Sequence, residues 1–170
     1  MTKYFIGIDP GLTGAIALVD DAGVFCELVD LPIKVKYCTK QGAIKNCIDA
    51  VKLEDMLNSF IAEYGDGIIV FLEDVHGRGG WSAPISFGLG ETIGALNATL
   101  NIVGLEVNWI TPTFWKKYFK VTSNKEGTLA KANSMYPEAR KYISRKKDHN
   151  RAEALLIARY AVEITRGPLK

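Results

Sequence analysis

Three acidic residues stand where acids are costly. Asp9 closes the apolar run Tyr-Phe-Ile-Gly-Ile and opens a turn rich in Gly and Pro, Pro10-Gly11-Leu12-Thr13-Gly14. Glu73 does the same at the end of a second apolar run, residues 68–72. If both runs are central strands, their neighbouring ends bring the two acids together. Converging, partly buried carboxylates repel each other and are costly unless a cation sits between them. Hard oxygen donors select Mg²⁺ or Mn²⁺. Taken singly, each acid could merely mark where a strand leaves the core. The third acid is Glu153, in the first turn of an apolar helix that follows the basic run Arg145-Lys146-Lys147. It shares a stripe with Ile157, Ala161 and Ile164, which turns it toward the body of the protein. Asn150-x-x-Glu153 also has the form of a capping box, a device worth about 0.5 to 2 kcal/mol. Asp148 stands just before the helix, where it could cap it or bend back beside Glu153 as a further ligand, and His149 could do the same.

The elements that must position these acids can be read in order. Apolar runs at residues 4–8, 14–19 and 24–31 predict three strands, with Asp20-Asp21-Ala22-Gly23 as a hairpin turn. Leu53, Met56, Leu57, Phe60 and Ile61 form one helical stripe that ends at Gly65-Asp66-Gly67. Residues 68–72 run apolar without alternation, as a strand covered on both faces does. A loop, His-Gly-Arg-Gly-Gly-Trp-Ser-Ala-Pro-Ile-Ser, leads to a helix near 88–101, a strand at 107–111, a short helix opened by Pro112 and two further helical stretches. The order βββαβαβ followed by helices predicts an α/β fold: a mixed five-stranded sheet, an antiparallel meander plus parallel strands, flanked by helices.

A chain of 170 residues that is 48% hydrophobic and 24% charged fits one domain spanning 1–170. Cys26, Cys38 and Cys47 are odd in number and form no C-x-x-C pair, so neither a disulfide framework nor a zinc site is suggested. No signal segment and no membrane-spanning run is seen, and the expectation is a cytoplasmic protein without a membrane partner. The net charge of +2 hides an asymmetry: residues 1–112 hold 7 basic and 14 acidic residues, a balance of −7, and residues 113–170 hold 14 and 5, a balance of +9. Clusters at Lys116-Lys117, Arg140-Lys141 and Arg145-Lys146-Lys147 make a polyanionic partner plausible, although any one of them could simply solvate a helix. Lys116 and Lys117 read as phosphate-backbone contacts. In the glycine-rich loop, Arg78 and Trp81 read as candidates for binding the same polyanion, with the indole stacking on unpaired bases of a nucleic acid or, alternatively, folded back under its own loop.

These residues resemble a known family. Ile-Gly-Ile-Asp9-Pro-Gly, the strand ending in Glu73 and the helix opening with Ala152-Glu153-Ala154-Leu155 resemble RuvC-type Holliday junction resolvases of the RNase H-like superfamily. Trp-Ser-Ala-Pro-Ile-Ser-Phe-Gly-Leu-Gly-Glu and Arg-Lys-Lys-Asp-His-Asn-Arg-Ala-Glu-Ala-Leu-Leu-Ile-Ala are more similar to the phage RuvC-like and plant organellar branch than to the bacterial enzyme. The resemblance covers residues 4 to about 162. It implies an RNase H-like fold and a homodimer that nicks two strands of a four-way DNA junction symmetrically. It also implies Mg²⁺, with Mn²⁺ as a substitute, and no nucleotide cofactor. Asp9, Glu73 and Glu153 carry over as metal ligands. The bacterial enzymes keep a further acid three residues before the last one, where this chain has Asn150, so the fourth ligand falls to Asp148 first and His149 second. Lys125, between a Ser-Asn turn and a helix, takes the place of a lysine near the scissile phosphate. Hydrolysis of a phosphodiester on two metals about 3.5 to 4 Å apart would have Asp9 bridge them. The two-fold contact is expected on the helix near 88–101, through Gly90, Gly94, Ala95 and Ala98. Two rival classes are an actin-like ATPase or sugar kinase, which would need a duplicated domain and a second phosphate loop, and a junction-binding protein that does not cleave.

Overall fold

The computed structural model describes residues 2–37, 44–76, 80–122 and 124–167. Its first strand, β1 (Tyr4–Asp9), alternates between two layers: Phe5 enters one core cluster, Ile6 and Ile8 the other, as the period of two along a strand requires. β2 (Ala15–Asp20) and β3 (Phe25–Asp30) follow as the expected antiparallel meander. A separate hairpin, β4 (Ile33–Tyr37) and β5 (Ile44–Ile48), comes next, then α1 (Ala50–Tyr64), β6 (Ile68–Glu73), α2 (Ala83–Ile102) and β7 (Val107–Ile110). The chain ends with α3 (Pro112–Phe119), α4 (Lys125–Met135), two 3-10 turns at Pro137–Tyr142 and Lys146–Asp148, and α5 (His149–Arg166).

The main sheet has five strands in the order β3-β2-β1-β6-β7, with β6 parallel to β1 and β7 parallel to β6. This is the mixed sheet expected from the order of the elements. One face packs on α1 and α2 through Leu53, Leu57, Phe60, Leu96 and Leu100. The other packs on α3, α4 and α5 through Trp115, Phe119, Ala132, Leu155 and Ala158. Each large apolar side chain buried in these layers contributes about 1.5 to 3 kcal/mol.

Three local features differ from the sequence expectation. The hairpin of β4 and β5 lies outside the main sheet and was not foreseen, although Ile33-Lys34-Val35-Lys36 alternates as a strand does. α2 starts five residues before position 88, because Pro84 suits a first helical turn, where its missing N–H is not needed. The capping box of Asn150 and Glu153 does not form: Asp148 holds the N-cap position of α5 without a side-chain cap bond, and Asn150 lies inside the helix.

Candidate metal centre

β1 and β6 are parallel neighbours with Ile8 beside Leu72, so their last residues, Asp9 and Glu73, sit side by side at one edge of the sheet. The same alternation that sends Ile8 and Leu72 toward α1 and α2 turns both acids to the opposite layer, where α5 carries Glu153. One carboxylate oxygen from each of Asp9, Glu73 and Glu153 lies within 4.8 Å of the others. Asp9 and Glu73 are buried and Glu153 is half-buried. Burial, followed by the charges of Glu153 and Glu73, holds the Asp9 carboxyl well above the usual carboxylate range, while Lys116 and Lys125 pull it down.

α3 presents two consecutive residues to this cluster. The indole Nε1 of Trp115, which is fully buried, donates to Glu73 Oε1 at 2.9 Å. Lys116 Nζ lies 3.3 Å from Glu153 Oε1 and 4.9 Å from the centre of the Trp115 ring. Lys116, expected as a backbone contact, therefore stands inside the site. Lys125 is exposed at the start of α4, where Asn124 caps the helix by accepting from the Glu126 amide, and its charge reaches Asp9. Lys117 is exposed and outside the cluster.

Asp148 is not brought to the cluster. Its two oxygens accept from the Arg145 backbone amide at 2.9 Å and from the Arg145 guanidinium at 2.8 to 3.3 Å, and Arg151 lies 3.9 Å away. A buried carboxylate so placed has its charge already balanced by guanidinium, which corrects its expected role as the fourth ligand. His149 turns its Nδ1 to the Lys146 carbonyl at 3.3 Å. Asn150 donates to the carbonyl and hydroxyl oxygens of Thr13, at 2.7 and 2.8 Å, and so ties the turn after Asp9 to the first turn of α5. Arg151 grips Asp30 through two nitrogens, at 2.6 and 2.5 Å, and fixes the same turn to the end of β3. Among the described residues the cluster has three acids. Trp81 is 39% exposed before α2, beside a hollow shared with Gly11, Leu12 and Ile85. Arg78 lies outside the described residues.

The donor set fits a hard divalent cation. All three donors are carboxylate oxygens, burial strengthens their mutual repulsion, and one ammonium group at Lys116 leaves net negative charge on the cluster. Trp115 was not foreseen as a site residue, and Asn150, weighed as a ligand or a helix cap, was not foreseen as a tie to the turn after Asp9. A buried tryptophan must find an acceptor for its N–H, and its place next to Lys116 was the available signal. The Thr13 contact of Asn150 is 137 residues away in sequence and left none.

No family model matches this sequence, and no curated protein sequence matches it. Solved structures do. Thermus thermophilus RuvC in complex with a Holliday junction substrate aligns over 97% of this chain and 96% of its own, at 15% identity and a TM-score of 0.59. A second Thermus thermophilus RuvC structure covers 96% of each chain at 18% identity and a TM-score of 0.52. The fowlpox virus Holliday junction resolvase covers 95% of this chain and 99% of its own, at 13% identity and a TM-score of 0.42. The fold is therefore RNase H-like, of the RuvC type, with a three-carboxylate centre at the edge of its sheet.

Proposed function

We propose that this chain is a metal-dependent endodeoxyribonuclease that resolves four-way DNA junctions by paired, symmetric nicks. The observation that carries the reading is the convergence of Asp9, Glu73 and Glu153, from three separate elements, within 4.8 Å on a RuvC-type fold. Asp9, Glu73 and Glu153 would hold the cation, Mg²⁺ with Mn²⁺ as a substitute. When bound, such a cation offsets phosphoryl charge and acidifies water. The chain's own residues do the rest. Trp115 fixes the rotamer of Glu73, Asn150 holds the Asp9 turn against α5, and Lys116 and Lys125 offer ammonium groups to a phosphoryl oxygen beside the carboxylates.

Paired nicks need two such sites related by a two-fold axis, so the active species is a homodimer. Support comes from α2, where Gly90, Gly94 and Ala98 are exposed on one stripe and Phe87 and Ile102 are 73% and 74% exposed. The stretches around Trp81 and Asp148 favour the phage and organellar branch of these resolvases. A three-acid centre also favours a second reading, junction binding without cleavage. Purified protein incubated with a mobile four-way junction and Mg²⁺, with linear duplex as control, tests both. Paired nicks in the junction alone are expected. Metal-independent binding with no nicking in Mg²⁺ or Mn²⁺ would leave the second reading, and no junction preference would overturn both.

A further inference from the structure

The β4–β5 hairpin is basic in an acidic half. Of the 7 Lys and Arg in residues 1–112, 4 fall within residues 33–48, a stretch with no Asp or Glu. Three of these, Lys34, Lys36 and Lys45, lie on the strands. Register sets Lys36 opposite Lys45 and Lys34 opposite Cys47. Opposed residues share a face, as do residues two apart, so the three lysines line one face of the hairpin. Like charges directly opposite destabilise a ladder, and a lone two-stranded ladder is marginal to begin with. Such a pair costs the ladder stability and concentrates positive charge on one face.

Two of the three lysines have acid neighbours. Lys36 pairs with Glu91 of α2 and Lys34 lies 3.7 Å from Asp49, yet the two lysine side chains remain 46% and 50% exposed. Between the basic face and α2 runs a groove of about 310 Å³, lined by Lys36, Lys45, Ile85 and Phe87 among others. Leu12, in the turn after Asp9, lines this groove and also the hollow beside Trp81. The basic face thus borders the same turn as the acid cluster.

We propose that the β4–β5 hairpin is a second nucleic-acid contact, whose Lys34, Lys36 and Lys45 bind the phosphodiester backbone of a DNA arm entering the acid centre. This rests on the nuclease reading above. It adds a contact on the acidic half of the chain, away from the basic residues of 113–170. Phosphate contacts of this kind set register and affinity but carry no base sequence.

The test is junction binding by the full chain in EDTA across a series of salt concentrations. Neutralising a lysine that binds one phosphate makes the slope of log K against log[salt] shallower by about 0.9. Lys34→Gln, Lys36→Gln and Lys45→Gln combined should therefore flatten the slope by about 2 to 3 and weaken binding about tenfold or more at 0.1 M salt. Lys45→Gln alone, should the triple variant lose its fold, should flatten it by about 1. Lys3→Gln with Lys52→Gln, exposed lysines of the same half outside the hairpin, should leave it unchanged. A slope unaltered in the hairpin variants, with the unmodified chain binding and nicking the junction, would overturn the hairpin contact alone. Weaker binding at an unaltered slope would do the same. Failure of the unmodified chain to bind junctions at all would overturn the nuclease reading and the hairpin contact with it.

Discussion

Gly7 of β1 and Ala158 of α5 meet backbone to backbone: a Cβ added at Gly7 would lie 2.2 Å from the Ala158 amide nitrogen and 2.4 Å from the Ala154 carbonyl oxygen. No side chain fits there, and this close approach is what seats α5 on the strand that carries Asp9. Gly7→Ala must push the helix outward. Overpacking of this kind costs about 1 to 3 kcal/mol, or roughly 2 to 12 °C in Tm for a chain of this size. Because Glu153 rides on the displaced helix, the variant should also lose most of the Tm rise produced by Mn²⁺. A variant that keeps the full Mn²⁺ response would show that α5 does not set the spacing of the acids.

Trp115 acts on the centre through Glu73. Trp115→Phe keeps most of the buried ring and removes the Nε1 donor. Partners that orient a ligand are worth about 10- to 100-fold in metal affinity. Calorimetric titration with Mn²⁺ should show a loss in that range, with a smaller change in Tm than Trp115→Ala. Unchanged affinity would reduce the bond to packing.

Asp9 should make the metal-free chain pH-dependent. The folded state holds the Asp9 proton more tightly than the unfolded chain does, so ionising it costs stability as pH rises above the ordinary carboxylate range. Asp9→Asn removes that cost. In EDTA near neutral pH the variant should melt a few degrees above the unmodified chain, and the difference should vanish in acid. Cleavage should be abolished and junction binding kept, since an amide relieves repulsion toward phosphate. The Mn²⁺-induced rise, which for the unmodified chain is about 2.7 kcal/mol at a hundred times Kd, should be absent. Near-normal nicking by Asp9→Asn would sink the metal centre.

How far the sequence reaches can be judged from these residues. The pairing of Asp9 with Glu73 was legible because it needs only two apolar runs, a parallel crossover and the period of two. Glu153 was legible from its helical stripe, although Ile164 at the far end of that stripe is 44% exposed. The ligand role expected of Asp148 failed because nearness in sequence says little about which way a carboxylate turns, and Arg145, three residues earlier, offers it a backbone amide and a guanidinium at once. Asn150, which could instead have capped the helix, bonds Thr13 across 137 residues, a contact that no local pattern announces.

The Asp148 correction has its own test. Hydrogen bonds from the Arg145 side chain hold the Asp148 carboxyl below its usual range. The pair therefore contributes stability above a pH of about 4 and loses it as pH falls further. Asp148→Asn should lower Tm by a few degrees at neutral pH, with the gap closing in acid, and should leave Mn²⁺ affinity within about twofold, well short of the loss a ligand change produces. A loss of Mn²⁺ affinity as large as that of Glu73→Gln would restore Asp148 to the centre.

Trp81 sits just before α2, in the segment that follows β6 and its Glu73, and is 39% exposed beside Gly11 and Leu12. On the nuclease reading this places a flat indole next to the bound DNA, near the branch point, where bases unstack most readily. An indole that takes over the lost stacking is worth about 1 to 3 kcal/mol per base, which is roughly a 5- to 150-fold preference for an open junction over linear duplex. Trp81→Ala should lower the junction-over-duplex affinity ratio by a factor in that range. Tm should fall by only a few degrees, because 39% of its surface already faces solvent, and Mn²⁺ binding should hold, because no carboxylate is touched. A tryptophan that served the fold would behave oppositely, with a truncation cost of about 3 to 5 kcal/mol and an unchanged ratio. Melting curves and paired affinity titrations on the same preparation separate the two, and a large fall in Tm at constant ratio would dispose of the stacking role.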